Sequence, residues 1–238
     1  MLSLLYYRNY DHTGLKKLFA AHVASASAGA ELRVLEAIIL MREHRHSESR
    51  SALMCVLDAQ PDFHPARIVL AHLSYLQKDF KQSYALARQL IARKKELSKY
   101  HYTVSLLLAA GAKGILTQRY MVRAIPAYFE ITGYFKEAKR MMPDAAEVLY
   151  GLGSYHLLTP PIAGGDVDKA IAMLEKSRRL TPQNTPVYVR LAQAYRFKGD
   201  EIAWKKNVER AMEIDPQDEL LLDYLSGEKV FLDVKAVH

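Results

Sequence analysis

Apolar residues along this chain recur every three to four positions, the period of a helix with one buried stripe. The clearest case is residues 185–218. There Tyr188, Leu191, Ala192 and Tyr195 fall at i, i+3, i+4 and i+7. After Lys198, Gly199 and Asp200, a second stripe follows with Trp204, Val208 and Ala211. Gly199 supplies the positive φ of a tight helix–helix turn, and Pro216 ends the second helix because its ring nitrogen cannot donate. The pattern predicts two antiparallel helices.

The same spacing predicts helices along most of the chain. Leu15, Leu18, Phe19, His22, Val23 and Ala26 mark a first one. From Ala30, Ala37 and Leu40 line one helix and Leu53 and Val56 the next, with a turn over residues 44–47. From His64, Leu70 and Ala71 are followed by a turn at Lys78 and Asp79 and then by Ser83, Ala87 and Leu90. The basic run Arg93, Lys94, Lys95 predicts that this last helix continues, since no proline stops it. Between residues 98 and 142 the register is lost, although Val104, Leu107, Leu108, Ile115, Met121 and Ile125 keep a helical spacing. Gly111 and Gly114 there mark close packing or a break, Pro126 a kink or a helix start, and residues 129–142 a helix. Leu149, Leu152, Gly153 and His156 restart the register; Ala170, Leu174 and Ser177 complete it and Pro182 closes it. Residues 159–166 form a Pro/Gly turn about five residues longer than the others. Leu221, Leu222 and Leu225 predict a solvating C-terminal helix, and residues 230–234 an ordered tail.

The slots filled by Tyr188, Leu191, Ala192, Tyr195, Trp204, Val208 and Pro216 resemble the 34-residue tetratricopeptide repeat (TPR). Trp204 departs from the family's usual Ala, which implies a wider crossing or the end of an array. The resemblance implies an all-α fold: a right-handed α-solenoid of TPR-like antiparallel helix pairs, with a divergent middle and a C-terminal capping helix. It divides the chain into an N-terminal helix and lead-in (1–29), two degenerate units (30–97), a divergent long helix pair (98–145), two further units (146–218), and a capping helix with tail (219–238). Gly151, Gly153, Pro160, Pro161, Gly164, Gly165, Asp166, Lys169, Ala170, Leu174 and Glu175 are also similar to the TPR-like T component associated with TRAP transporters. That resemblance implies an accessory protein handling a small ligand or a solute-binding protein.

Composition narrows the class further. At 238 residues and 50% apolar, the chain can bury a core without disulfides. Its single cysteine, Cys55, excludes an internal disulfide and fits a reducing compartment. Lying in the apolar run 52–57, it is expected as a buried structural thiol. No stretch approaches the roughly 20 apolar residues of a membrane span. The N-terminus lacks the order of a signal peptide, so the expected location is cytoplasmic, or periplasmic if a leader has been removed. The net charge of +7 is spread in pairs and triplets beside apolar stripes, a solvated-face pattern that does not call for nucleic acid.

Chemistry-bearing motifs are missing: no Gly-x-Gly-x-x-Gly, phosphate loop or His-Glu-x-x-His. His44 and His46 are two apart and face different ways on a helix; Asp166 after Gly164 and Gly165 reads as an N-cap. The expectation is therefore no enzyme, no catalytic residue, no metal and no cofactor. In a TPR array the first helix of each pair lines the groove, which here offers Val34, Ile38 and Met41; Ile68, His72 and Tyr75; Tyr150, Ser154 and Leu157; Val189, Gln193 and Arg196. Of these, Tyr75, His72, Tyr150, Ser154, Val189, Gln193 and Arg196 form the expected partner-binding groove. The slots used by carboxylate-clamping TPR domains hold Val189, Gln193, Ile68, His72, Val34 and Ile38, which disfavours that mode. The expected partner is a protein segment or a subunit of a larger complex, with self-association left open.

Overall fold

A computed structural model of the chain describes residues 12–23, 29–117 and 124–231. The described residues are all-α: α1 (His12–Val23), α2 (Ala30–Arg42), α3 (His46–Ala59), α4 (His64–Leu76), α5 (Phe80–Ala92), α6 (Lys99–Thr117), α7 (Ala124–Met141), α8 (Ala146–Leu158), α9 (Val167–Leu180), α10 (Thr185–Phe197), α11 (Glu201–Ile214) and α12 (Glu219–Ser226). The residues read above at positions 1–11, 26, 121 and 232–238, and the side chains of His22, Val23 and Ile125, lie outside that description. The chain separates into two compact units, Met1–Glu137 and Ala138–His238.

Three turns share one geometry. Arg45 N–H donates to the Leu40 carbonyl (2.9 Å), Asp79 N–H to Ser74 (2.9 Å) and Asp200 N–H to Tyr195 (3.0 Å). In each, the residue before the donor has positive φ: His44 at 58°, Lys78 at 64° and Gly199 at 74°. This is the six-to-one closure of a helix C-terminus through a left-handed residue. Asp79 and Asp200 then cap the following helices, accepting from Gln82 N–H (3.0 Å) and Ala203 N–H (2.9 Å). Only Gly199 takes the left-handed conformation without a steric cost, so the repeat is recognised most easily there.

In the first unit, α1 to α4 enclose a core that includes Leu15, Val34, Ile38, Leu53, Val69, Leu70 and Leu73. Ser49 Oγ donates across it to the Ala37 carbonyl (2.7 Å). Arg50 on α3 reaches the side-chain carbonyls of Gln77 (2.5 Å) and Gln82 (3.0 Å), fastening α3 to the α4–α5 pair. Ile68, Leu90 and Val104 join α4, α5 and α6. The expected continuation of α5 does not occur: the helix stops at Ala92 and residues Lys94–Glu96 form a 3-10 turn. Its side chains fold away as Arg93 pairs with Asp62 (2.5 Å) and Lys94 with Glu137 (2.8 Å). α6 passes straight through Gly111 and Gly114, and α7 begins before Pro126, which sits in its first turn where the missing N–H costs nothing.

In the second unit, α10 is buried almost all round, from Thr185 to Ala194 with only Pro186 outside the buried set. It packs against α9, α11, α12 and α8. Leu174, Val187 and Leu191 form one cluster, and Leu157, Ala170 and Ala194 another. Gly153 permits the α8–α9 crossing, because a Cβ there would stand 2.7 Å from Leu174 Cγ. On α12 the inward residues are Leu220 and Leu221, whereas Leu222 and Leu225 are about half exposed. The helix is therefore rotated from the expected stripe. Asp218, buried at its start, sets that phase by accepting from Leu220 N–H (3.0 Å) and Leu221 N–H (2.9 Å).

Candidate functional site

The first helix of each pair was expected to offer binding residues, and the structure divides them. Val34, Ile38 and Met41 are core residues of the first unit, as is Ile68. The α4 stripe that reaches the surface is His72 and Tyr75, both half-buried. The Tyr75 ring lies edge-on to Phe80 with centroids 5.3 Å apart. The ring also lies against Gly111 of α6, where a Cβ would meet Tyr75 Cε2 at 3.4 Å. A glycine on α6 thus lets the ring lie close to that helix.

In the second unit, Tyr150 and Ser154 sit one turn apart on α8, both half-buried. Tyr150 packs on the Leu174–Val187–Leu191 cluster, and Leu157 is core. The Ser154 hydroxyl is buried and has no hydrogen-bond partner among the described residues.

The α10 residues do not present an open face. Val189 is 0% and Gln193 3% exposed. Gln193 Oε1 accepts from Arg190 Nη1 (2.8 Å), and Arg190 Nη2 donates to the Phe231 carbonyl (2.7 Å). Asp223 completes the lock by accepting from Val230 N–H (2.8 Å) and Phe231 N–H (3.0 Å). The chain after α12 therefore closes over this side of α10. Such coverage has no local signature, since Arg190 and Phe231 are 41 residues apart. Arg196 is exposed but already engaged: it pairs with Glu201 (2.5 Å) and lies 4.6 Å from the Trp204 ring centroid. Trp204 Nε1 in turn donates to Tyr224 Oη (2.9 Å), which places the large residue between α11 and α12 at the last crossing.

The long turn between α8 and α9 is a built element. Pro161–Ala163 make a 3-10 turn and Gly164 is left-handed (φ 89°). Gly165 N–H donates to Pro160 (3.0 Å), Asp166 N–H to His156 (2.9 Å) and His156 Nδ1–H to Gly164 (3.0 Å). A Cβ at Gly165 would sit 1.7 Å from the Thr159 carbonyl oxygen, so no other residue fits. Asp166 caps α9 through Lys169 N–H (3.0 Å), as the sequence pattern indicates. Ile162 stands at the tip, 99% exposed.

Two clusters in the first unit have no counterpart in the sequence reading. On α7, Glu130 Oε1 accepts from Tyr84 Oη (2.5 Å), Tyr134 Oη (2.7 Å) and Arg88 Nη1 (3.0 Å), while Oε2 pairs with Lys113 Nζ (3.2 Å). Burial pushes the carboxyl up, but the hydrogen bonds from Tyr84, Tyr134 and Lys113 outweigh it and hold it at about 2. The second cluster centres on His101 of α6, 9% exposed, whose Nε2 has no hydrogen-bond partner among the described residues. Burial, and then the charge of His64, lower it to about 4, so it is neutral at pH 7. Cys55, expected to be buried, is exposed on α3. Leu53 and Val56 take the inward positions and leave the two residues between them outside.

The sequence profile of the tetratricopeptide repeat matches residues 185–218. No curated protein matches the chain. Among solved structures, a thermophilic TPR protein of Thermus thermophilus is similar over 84% of this chain and 99% of its own, at 20% identity and a TM-score of 0.65. The pilF protein of Pseudomonas aeruginosa is similar over 95% of this chain and 94% of its own, at 11% identity and a TM-score of 0.50. These likenesses speak to fold. Together with α10, α11 and the turn at Gly199, they show one tetratricopeptide repeat at residues 185–218 within an all-α fold shared with TPR structures.

Proposed function

We propose that this chain is a non-catalytic scaffold that holds a segment of another protein, as an accessory subunit of a larger bacterial complex. The observation that carries the reading is the α8 face. A half-buried aromatic ring, Tyr150, lies one turn from a buried, unpartnered hydroxyl, Ser154, on the first helix of a TPR pair. An orphan buried hydroxyl costs free energy until something pairs with it, and a backbone amide of an extended segment suits it. His72 and Tyr75 give α4 a similar half-buried face in the other unit. The reading keeps Tyr75, His72, Tyr150 and Ser154 as contact residues and sets Val189, Gln193 and Arg196 aside. Partner captured from the source organism is titrated against wild type, Tyr75→Ala, Tyr150→Ala and Ser154→Ala, each checked for unchanged helicity. About tenfold weaker binding in at least one aromatic variant supports the assignment. Unchanged affinity in all three removes it.

A second reading makes the chain a TRAP-associated accessory, supported by the ordered Pro160–Pro161/Gly164–Gly165 turn. It requires binding to a solute-binding protein, and Gly165→Ala should abolish that binding if the turn forms the contact.

A further inference from the structure

Tyr84 and Arg88 lie one turn apart on α5, and Lys113 on α6 faces them. Lys113 Nζ lies 5.0 Å from the Tyr84 ring centroid and the Arg88 guanidinium carbon 5.9 Å. Arg88 Nη1 is also 3.3 Å from Tyr84 Oη, so part of this arrangement is held within α5 itself. Two cations and a phenol hydroxyl therefore converge on one spot, and the helices carrying them are joined by the Ile68–Leu90–Val104 cluster. The spot is filled from a third helix by Glu130, whose side chain is 27% exposed. Among the described side chains of α7 up to 137, Ala127 and Phe135 are buried, Tyr128, Ile131 and Tyr134 are half-buried, and Phe129 is 68% exposed. The polar ties of α7 include Glu130 to the cluster and Glu137 to Lys94.

We propose that Tyr84, Arg88 and Lys113 form a docking socket for a carboxylate-bearing helix of a protein partner, which Glu130 of α7 occupies in cis and thereby guards. The proposal rests on the reading of the chain as a protein-binding scaffold, but it uses the second helix of a pair and the long helix after it rather than the first-helix faces. The occupant is specified by what already fits: a carboxylate with an aromatic residue four positions later, as in Glu130 and Tyr134. A tethered occupant competes at high effective concentration, so an external helix binds weakly until the internal one is weakened. The attraction is largely between charges at a partly open site and is screened by salt.

The test uses the full chain and, as probe, a labelled peptide of residues 124–141 carrying either Glu or Gln at position 130. Its affinity is measured by fluorescence anisotropy for wild type, Glu130→Gln, and Glu130→Gln combined with Lys113→Gln. The Glu peptide should bind Glu130→Gln about tenfold more tightly than wild type, should exceed the Gln peptide, and should weaken with salt. Adding Lys113→Gln should remove the gain. Hydrogen exchange guards against a variant that misfolds: excess Glu peptide on wild type should speed exchange within residues 124–137. Equal binding of Glu and Gln peptides, or no change in α7 exchange at saturation, overturns the socket. Tyr150→Ala should leave peptide binding intact, so failure of the socket and failure of the α8 face are separable.

Discussion

Gly153 and Leu174 meet where α8 crosses α9, and the space between them is too small for a methyl group: a Cβ on Gly153 would also lie 3.2 Å from the Ala170 carbonyl oxygen. Leu174 is fully buried and cannot swing outward without leaving its cluster with Val187 and Leu191. Gly153→Ala should therefore destabilise the second unit by about 1–3 kcal/mol, the usual range for overpacking. Chemical denaturation measures this directly. A neutral result would mean that the two helices separate freely.

Gly199 and Gly114 both have open space where a side chain would project. They differ in backbone. Gly199 is left-handed at φ 74°, whereas Gly114 lies within α6. Alanine at 199 should cost about 1 kcal/mol, and alanine at 114 should gain about 1 kcal/mol, so midpoints should move in opposite directions. Movement in the same direction would contradict the assigned conformations.

The C-terminal lock depends on one carboxylate serving two backbone donors. Asp223→Ala leaves the N–H groups of Val230 and Phe231 without their acceptor and loosens the carbonyl that receives Arg190. The expected cost is about 1–3 kcal/mol. Exchange should rise at Val230, Phe231 and the C-terminal half of α10 before the rest of the unit responds.

Acid should weaken the first unit in two stages. His101 has a folded value of about 4 against an ordinary 6.5. The unfolded chain therefore binds its proton first, and stability falls as pH drops from 6.5 to 4. Glu130, at about 2 against 4.5, extends the loss below pH 4.5. In the second unit Asp218 has the opposite sign: burial raises it to about 7, so its own contribution falls as pH rises from 3.8 to 7. Comparing wild type with His101→Gln isolates the histidine. The variant should lose less stability between pH 6.5 and 4, by on the order of 2 kcal/mol. Parallel profiles would show that His101 is not held neutral.

Helices, their stripes and the turn at Gly199 were legible because they are local. Leu53, Val56, Ser83, Ala87, Leu90, Ala170, Leu174 and Ser177 all point inward, as their spacing requires. The tight place for Gly153 followed from the repeat slot it fills. Errors arose where a neighbour decides. Val189 and Gln193 are buried, Gln193 beneath Arg190, whose guanidinium is itself tied to the carbonyl of Phe231, 41 residues on. Cys55 is outside because one helix phase cannot turn every residue of an apolar run inward. The phase of α12 follows Asp218 rather than its leucines. The Glu130 cluster joins residues 42 and 46 positions apart, and spacing along a helix carries no information about which helix it meets.

The turn from Thr159 to Asp166 closes on itself. Its backbone is satisfied by Tyr155, His156, Pro160 and Pro161, and Ile162 projects from the far side into water. Extra chain spliced in beside Ile162 would open the 3-10 bonds that span it but leave the base of the turn, Asp166 N–H to His156, and the Asp166 cap of α9 in place, and would add the slowly growing entropy of a longer loop. The α8–α9 pair thus carries a graft point. An epitope or small folded module could be displayed there while the helices beneath keep their register, whereas the same insertion at Gly199 would pull apart a closure with no residue to spare.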